Sequence, residues 1–171
     1  MDTLLPLQLV DAARKVIEAN RAAGRRIAVA ESCTGGLVAA AITCVAGSSE
    51  VFDYGFVTYS NAAKTALVGV PEYLLDSHGA VSIEVASSMA EGGRKTAGAS
   101  LALSVTGIAG PGGGSPEKPV GMVCFGLSFI DVEREAMTYA QVKQFGAIGR
   151  DKVREKSVEV ALKWAIDTLK A

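Results

Sequence analysis

The sequence of 171 residues predicts an α/β fold: a three-layer α/β/α sandwich around a mixed, mostly parallel central sheet. Three observations carry that expectation. Apolar runs of strand length alternate with longer stretches whose apolar residues recur at helical spacing. Two of the runs, 27–30 and 101–105, break directly into polar, glycine-bearing loops, as where α/β proteins open a ligand site at the carboxyl edge of the sheet. Two later runs, 122–130 and 135–142, are joined too tightly for a helical crossover, so they predict an antiparallel hairpin that makes the sheet mixed.

Taken in order, residues 4–23 read as an amphipathic helix with Leu5, Leu9, Ala12 or Ala13, Val16 and Ile17 on one face, ended by Gly24. Ile27-Ala28-Val29-Ala30 is apolar at successive positions, as a strand buried on both faces requires. Glu31-Ser32-Cys33-Thr34-Gly35-Gly36 interrupts it, and Leu37-Val38-Ala39-Ala40-Ala41-Ile42 continues as a good helix former. Such a corner sets backbone N–H groups at the sheet edge, where the helix dipole favours an anion or a developing oxyanion. Chemistry is expected here. Gly47-Ser48-Ser49 leads into a strand over 51–59, with Gly55 as a bend or bulge. Ser60 or Asn61 caps a helix that carries Lys64 near its first turn. Pro71 initiates a helical piece bearing the only histidine, His78, and Ser82 caps a longer helix to about Thr96. After the strand 101–105 comes a glycine-rich loop over 106–114, part of a Gly/Pro-rich stretch of the length at which loops are often functional. Residues 135–142 carry the polar side chains of an edge strand. The last helix, 150–170, is expected to bury Val153, Val158, Val160 or Ala161, Trp164 and Ile166. Neither repeat nor linker interrupts the chain, so residues 1–171 read as one domain.

Hydrophobic residues make up 49% and charged residues 20% of the chain, which places it among globular proteins. A net charge of −1 argues against nucleic acid as a partner. No stretch reaches the ~20 apolar residues of a membrane span, and the N-terminus lacks a basic-then-apolar leader, so a cytoplasmic protein without a membrane partner is expected. Three cysteines at no zinc-like spacing read as free thiols, with Cys44 and Cys124 as small core residues. The sequence implies no metal.

Neither glycine-rich loop matches a phosphate loop or a dinucleotide fingerprint, and no Gly-x-Ser-x-Gly elbow exists for His78 to serve. What remains is Ser32 at a helix N-terminus, in need of a base. Lys64 is the candidate, because a helix start disfavours the ammonium and a neutral lysine can accept a hydroxyl proton. Tyr59 would orient or relay. The plain alternatives are an N-cap for Ser32 and a solvated surface lysine for Lys64. Cys33 is the rival nucleophile, inert if buried. Glu31 can hydrogen-bond within the site or complement the helix end; Thr106 and Gly107 can offer a hydroxyl and an N–H. Arg150 and Arg154, one turn apart, can clamp a phosphate or pair with Asp151 or Glu155.

The blocks Glu31-Ser32-Cys33-Thr34-Gly35-Gly36, Gly47-Ser48-Ser49, Gly55-Phe56-Val57-Thr58-Tyr59-Ser60-Asn61 with Lys64, His78-Gly79-Ala80-Val81-Ser82 and Thr106-Gly107-Ile108-Ala109-Gly110-Pro111 together resemble the C-terminal domain of the competence/damage-inducible protein CinA. The resemblance runs through nearly the whole chain. It implies a three-layer α/β/α unit and, from the family's stand-alone form, a nicotinamide-nucleotide amidase in pyridine-nucleotide salvage. That enzyme hydrolyses the carboxamide of nicotinamide mononucleotide to nicotinate mononucleotide and ammonia, without cofactor or metal. The family's nucleophile falls on Ser32, its base on Lys64 and its supporting tyrosine on Tyr59. The expected substrate-binding set is Glu31, Thr34, Gly35, Gly36, Ser48, Thr106, Gly107 and Arg150. In this expectation N–H groups near Thr34 to Gly36 hold the oxyanion, while Arg150 and the 106–114 loop hold phosphate and ribose. The longer relatives' N-terminal domain, linked to molybdopterin-like folds and pyrophosphatase activity, is expected to be absent. The sequence departs from the family at Ile148-Gly149-Arg150, where an acidic residue usually precedes the arginine, and at Cys44 and Ala46. The alternatives are a non-catalytic or weakly active nucleotide-binding regulatory module and a serine amidase for another small amide. Self-association through the apolar strands is a further expectation.

Overall fold

The computed structural model describes residues 4–131 and 133–168. Its elements are α1 (Leu7–Ala22), β1 (Ile27–Glu31), α2 (Leu37–Thr43), a 3-10 turn (Ser48–Glu50), β2 (Phe52–Val57), α3 (Asn61–Val68), α4 (Glu72–His78), α5 (Ile83–Ala97), β3 (Leu101–Gly107), β4 (Met122–Ile130), β5 (Ala136–Gln144) and α6 (Arg150–Thr168). The strands form one sheet in the order β2-β1-β3-β4-β5. β1 runs parallel to both neighbours, while β3–β4 and β4–β5 are antiparallel, so four of the five strands share a direction. The sheet is mixed, mostly parallel, and closed at one edge by the hairpin.

Alternation along β1 divides the core. Ile27 and Val29 join Val16 and Ile17 of α1, Val38 and Ile42 of α2, and Val158 and Leu162 of α6. Ala28 and Ala30 face the opposite way, Ala30 toward Val85 and Met89 of α5 and Val68 of α3. The second face is built of small side chains, and α5 lies close against it. A Cβ on Gly126 of β4 would come within 2.2 Å of the Ala86 carbonyl oxygen, and one on Gly92 within 1.7 Å of the Val68 oxygen. Both glycines are there because neighbouring backbone occupies the space of a methyl.

Local signals held well. Ser60 and Ser82 cap α3 and α5, accepting the N–H groups of Ala63 and Val85. Four expectations need correction. α1 starts at Leu7 because Pro6 stands as its N-cap. The irregularity in the β1–β2 pairing lies at Asp53, between the pairs Ile27–Phe52 and Ala28–Tyr54, and Gly55 pairs regularly with Val29. Gly55 instead makes room for α2, since a Cβ there would stand 3.0 Å from that of Ala39. Cys44 is exposed, because it follows the last turn of α2 rather than facing the core; Cys33 and Cys124 are buried. On α6 the buried stripe is Val153, Ser157, Val158, Ala161, Leu162 and Ala165, which leaves Trp164 and Ile166 half-buried at its margins. The predicted end of that helix, at residue 170, lies outside the described residues. Among the described residues no helix is long and apolar enough to cross a membrane.

Candidate active site

β1 ends between β2 and β3, with Glu31 opposite Val57 and Val105. The chain then turns tightly: the Ser32 N–H donates to the Val105 oxygen at 2.8 Å, that of Gly35 to the Ser32 oxygen at 3.0 Å, and that of Leu37 to the Thr34 oxygen at 3.2 Å. Gly35 and Gly36 hold φ of 58° and 98°, a left-handed pair that other residues adopt only under strain. Across this turn Glu31 folds back onto the helix it precedes. Its carboxylate accepts the N–H groups of Gly36 at 3.1 Å, Val38 at 3.0 Å and Ala39 at 2.9 Å. The start of α2 is therefore occupied by the protein's own anion. Of the two readings of Glu31, the structure shows the one that complements the helix end: only 1% exposed, it serves as acceptor for the turn and helix. Gly35 and Gly36 have spent their N–H groups internally, which of the expected oxyanion donors from Thr34 to Gly36 leaves that of Thr34.

Lys64 enters from the far side of the β1–β2 edge. Capping by Ser60 fixes the start of α3, and the side chain runs inward, 1% exposed. Its Nζ lies 3.0 Å from Ser32 Oγ and donates to the Thr58 carbonyl oxygen at 2.8 Å. Thr58 is itself clamped, with its N–H 2.7 Å and its Oγ1 3.3 Å from the Glu31 oxygen. No carboxylate ion-pairs with Lys64 among the described residues. Burial holds the amine below the ordinary lysine range. The sequence argument reached the same direction from the helix dipole, but removal from water is the cause. A hydroxyl and an amine whose pKa burial lowers thus meet at a buried contact, Ser32 8% and Lys64 1% exposed.

The remaining candidates sort by distance from that pair. Tyr59 is 62% exposed, and its phenol accepts from Arg150 Nη2 at 3.1 Å, so it stands at the rim. Arg150 also donates through Nη1 to the Gly110 oxygen at 2.9 Å, tying the start of α6 to the glycine-rich loop. Arg154 diverges and donates to the Thr34 oxygen at 3.2 Å, beneath the turn, so the two arginines form no common clamp. Thr34 is fully buried, and its Oγ1 has no partner among the described residues. Thr106 is adjacent along the sheet edge, yet its hydroxyl is committed to the Ala80 oxygen at 2.8 Å. Gly107 allows β3 and β4 to close up, since a Cβ would meet the Met122 oxygen at 2.9 Å. Ser48 is not brought to this corner. It precedes β2, whose first residue pairs with Ile27, and so lies at the opposite end of β1 from Ser32. His78 pairs with Glu84 at 3.6 Å and takes no part in the Ser32–Lys64 contact. Thr58 went unnoticed in the sequence; its one signal was its place beside Tyr59, two residues ahead of a helix cap.

Cys33 points into the core, 6% exposed, and burial pushes its thiol up to about 12. A thiol so rarely ionised is a poor nucleophile. Iodoacetamide at neutral pH is expected to label the exposed Cys44 and leave Cys33 unmodified and any hydrolytic activity unchanged. Mass spectrometry of the labelled protein, with activity measured on the same sample, checks this; inactivation in step with an adduct on Cys33 would restore it as nucleophile.

A family model described as the CinA C-terminal domain matches residues 10–169. A CinA-like protein of Citrifermentans bemidjiense is 54% identical over 145 residues, which cover 84% of this chain and 33% of the relative. A putative competence-damage inducible protein of Symbiobacterium thermophilum is 62% identical over 105 residues, 61% of this chain and 25% of its own. The chain thus spans a third or less of these curated relatives. Among solved structures, the competence/damage inducible protein CihA from Agrobacterium tumefaciens superposes with a TM-score of 0.91 at 41% identity, covering 99% of this chain and 100% of its own. The competence damage-inducible protein A (ComA) from Klebsiella pneumoniae gives 0.86 at 34% identity, over 95% and 97% of the two chains.

Proposed function

Because this chain belongs to the CinA C-terminal domain family, we propose that it hydrolyses the carboxamide of nicotinamide mononucleotide, giving nicotinate mononucleotide and ammonia. The observation that supports this reading is the 3.0 Å contact between Ser32 Oγ and the buried Nζ of Lys64. Neutral Lys64 removes the hydroxyl proton, and Ser32 Oγ attacks the carboxamide carbon. The resulting oxyanion falls to the N–H groups of Cys33 and Thr34, the donors of the turn with no backbone acceptor among the described residues. The ammonium of Lys64 then protonates the departing nitrogen, the C–N bond breaks and ammonia leaves. Lys64 next deprotonates a water, which attacks the acyl carbon and frees Ser32. The Thr58 carbonyl stabilises the lysine while it carries the extra proton and keeps it aimed at Ser32. Arg150, held at the rim between Tyr59 and Gly110, is the cation available for the substrate phosphate.

Purified protein incubated with nicotinamide mononucleotide should release ammonia, and Ser32→Ala should lower kcat by about 10³-fold or more. Unimpaired release by that variant would refute the acyl-enzyme route. Binding of the nucleotide without ammonia release would leave a nucleotide-binding module instead.

A further inference from the structure

We infer that a second ligand site, for a nucleoside 5′-monophosphate, lies at the end of α6 remote from Ser32. A cleft of about 490 Å³ opens there between α6, the β4–β5 hairpin and the approach to β1, lined by Arg25, Phe129, Asp131, Tyr139, Trp164 and Asp167. Its volume is within the ~300–1,000 Å³ range typical of small-molecule sites. Trp164 and Arg150 are fourteen residues apart on α6, roughly 20 Å at the helical rise. The inference therefore stands apart from the amidase reading.

The lining supplies three kinds of contact. The rings of Phe129 and Tyr139 stack with centroids 6.0 Å apart, making one aromatic wall, and half-buried Trp164 adds a second flat surface. Such surfaces take a planar heterocycle by stacking. Arg25 is half-buried, yet its guanidinium makes neither hydrogen bond nor ion pair among the described residues. Its neighbour Arg26, by contrast, is bound to Asp53 and to the Glu50 oxygen. Asp167 likewise has no partner among the described residues, whereas one oxygen of Asp131 is fixed by the N–H groups of Glu133 and Glu135. An unpaired guanidinium suits a phosphate, and an unpaired carboxylate suits the vicinal hydroxyls of a ribose, as acidic residues do in dinucleotide folds. A purely apolar occupant would desolvate Arg25 and Asp167 without compensation. A nucleotide satisfies all three features together.

The chain has a single tryptophan, Trp164, so its emission reports on this cleft alone. Adenosine monophosphate titrated into the protein should quench it saturably, half-maximally below about 1 mM. Arg25→Gln should raise the half-saturation about tenfold for the monophosphate but not for adenosine. Asp167→Asn should raise it about as much for the ribonucleotide, and not for its 2′-deoxy counterpart. Asp167 is exposed and Arg25 half-buried, and circular dichroism confirms that the variants fold. Absence of saturable quenching by adenosine, guanosine and nicotinamide monophosphates, the last measured in Ser32→Ala protein, would overturn the site. So would quenching that neither variant alters.

Discussion

Replacing Lys64 with methionine is expected to reduce ammonia release from nicotinamide mononucleotide by about 10³-fold, within the 10²–10⁴ span of a lost general base. Methionine fills much the same volume but cannot take a proton from Ser32. A second readout separates this from a folding defect. Burial lowers the amine's pKa in the folded protein, while the unfolded lysine titrates near its ordinary value. Between those two values the unfolded chain binds more protons, so wild-type stability rises with pH across that window. It falls as pH drops toward the folded value, and below that value both states are protonated and the penalty is constant. Lys64→Met removes this slope, so the stability difference should shift in the variant's favour as pH falls from about 10. For the same reason the wild-type rate should climb with pH through a pKa below that of free lysine. Denaturant titrations of both proteins across the range, together with a pH–rate profile, test the claim. A variant keeping a tenth of wild-type activity, or an alkaline limb at the ordinary lysine value, would remove Lys64 from the chemistry.

The Glu31→Ala protein should be less stable by about 3–5 kcal/mol, since three N–H groups lose their only acceptor and each buried, unsatisfied donor costs about 1–3 kcal/mol. Water reaching the partly buried Gly36 and Ala39 offsets some of that. Against a typical stability of about 5–15 kcal/mol the loss is large, and it should appear as a fall in Tm of about 6–20 °C. Glu31→Gln keeps one acceptor oxygen and should fall between. A Tm within about 1 °C of wild type for Glu31→Ala would mean that the carboxylate does not hold the turn.

Much of the architecture was legible because it is encoded locally. Ser60 and Ser82 announce their helices, the tight spacing of 122–130 and 135–142 dictates a hairpin, and continuous apolarity over 27–30 marks a central strand. The site was legible only in pieces. Nothing within an eight-residue helix tells that Lys64 points inward, because its burial depends on the Ser32 turn packing from 32 residues away. Chemistry suggested the pair, a serine in need of a base and a lysine at a helix start, and the family resemblance strengthened it. Glu31 was legible as one of two readings: a charged residue closing a buried strand signals an internal partner, and its carboxylate does complement the start of α2. Ser48 failed because sequence proximity to α2 does not reveal that the helix travels back along β1, carrying that serine to the other edge. Gly55 failed because a glycine in a strand serves a bulge or a close neighbour equally well, and only the packed helix decides.

The close seating of α5 leaves the molecule mechanically lopsided. Where Gly92 and Gly126 abut backbone, even one added carbon has nowhere to go, so that layer behaves as a rigid plate on which the β1 and β3 edge is mounted. Volume-changing substitutions are therefore expected to be better tolerated in the opposite layer, where Leu, Ile and Val side chains of α1, α2 and α6 pack against one another.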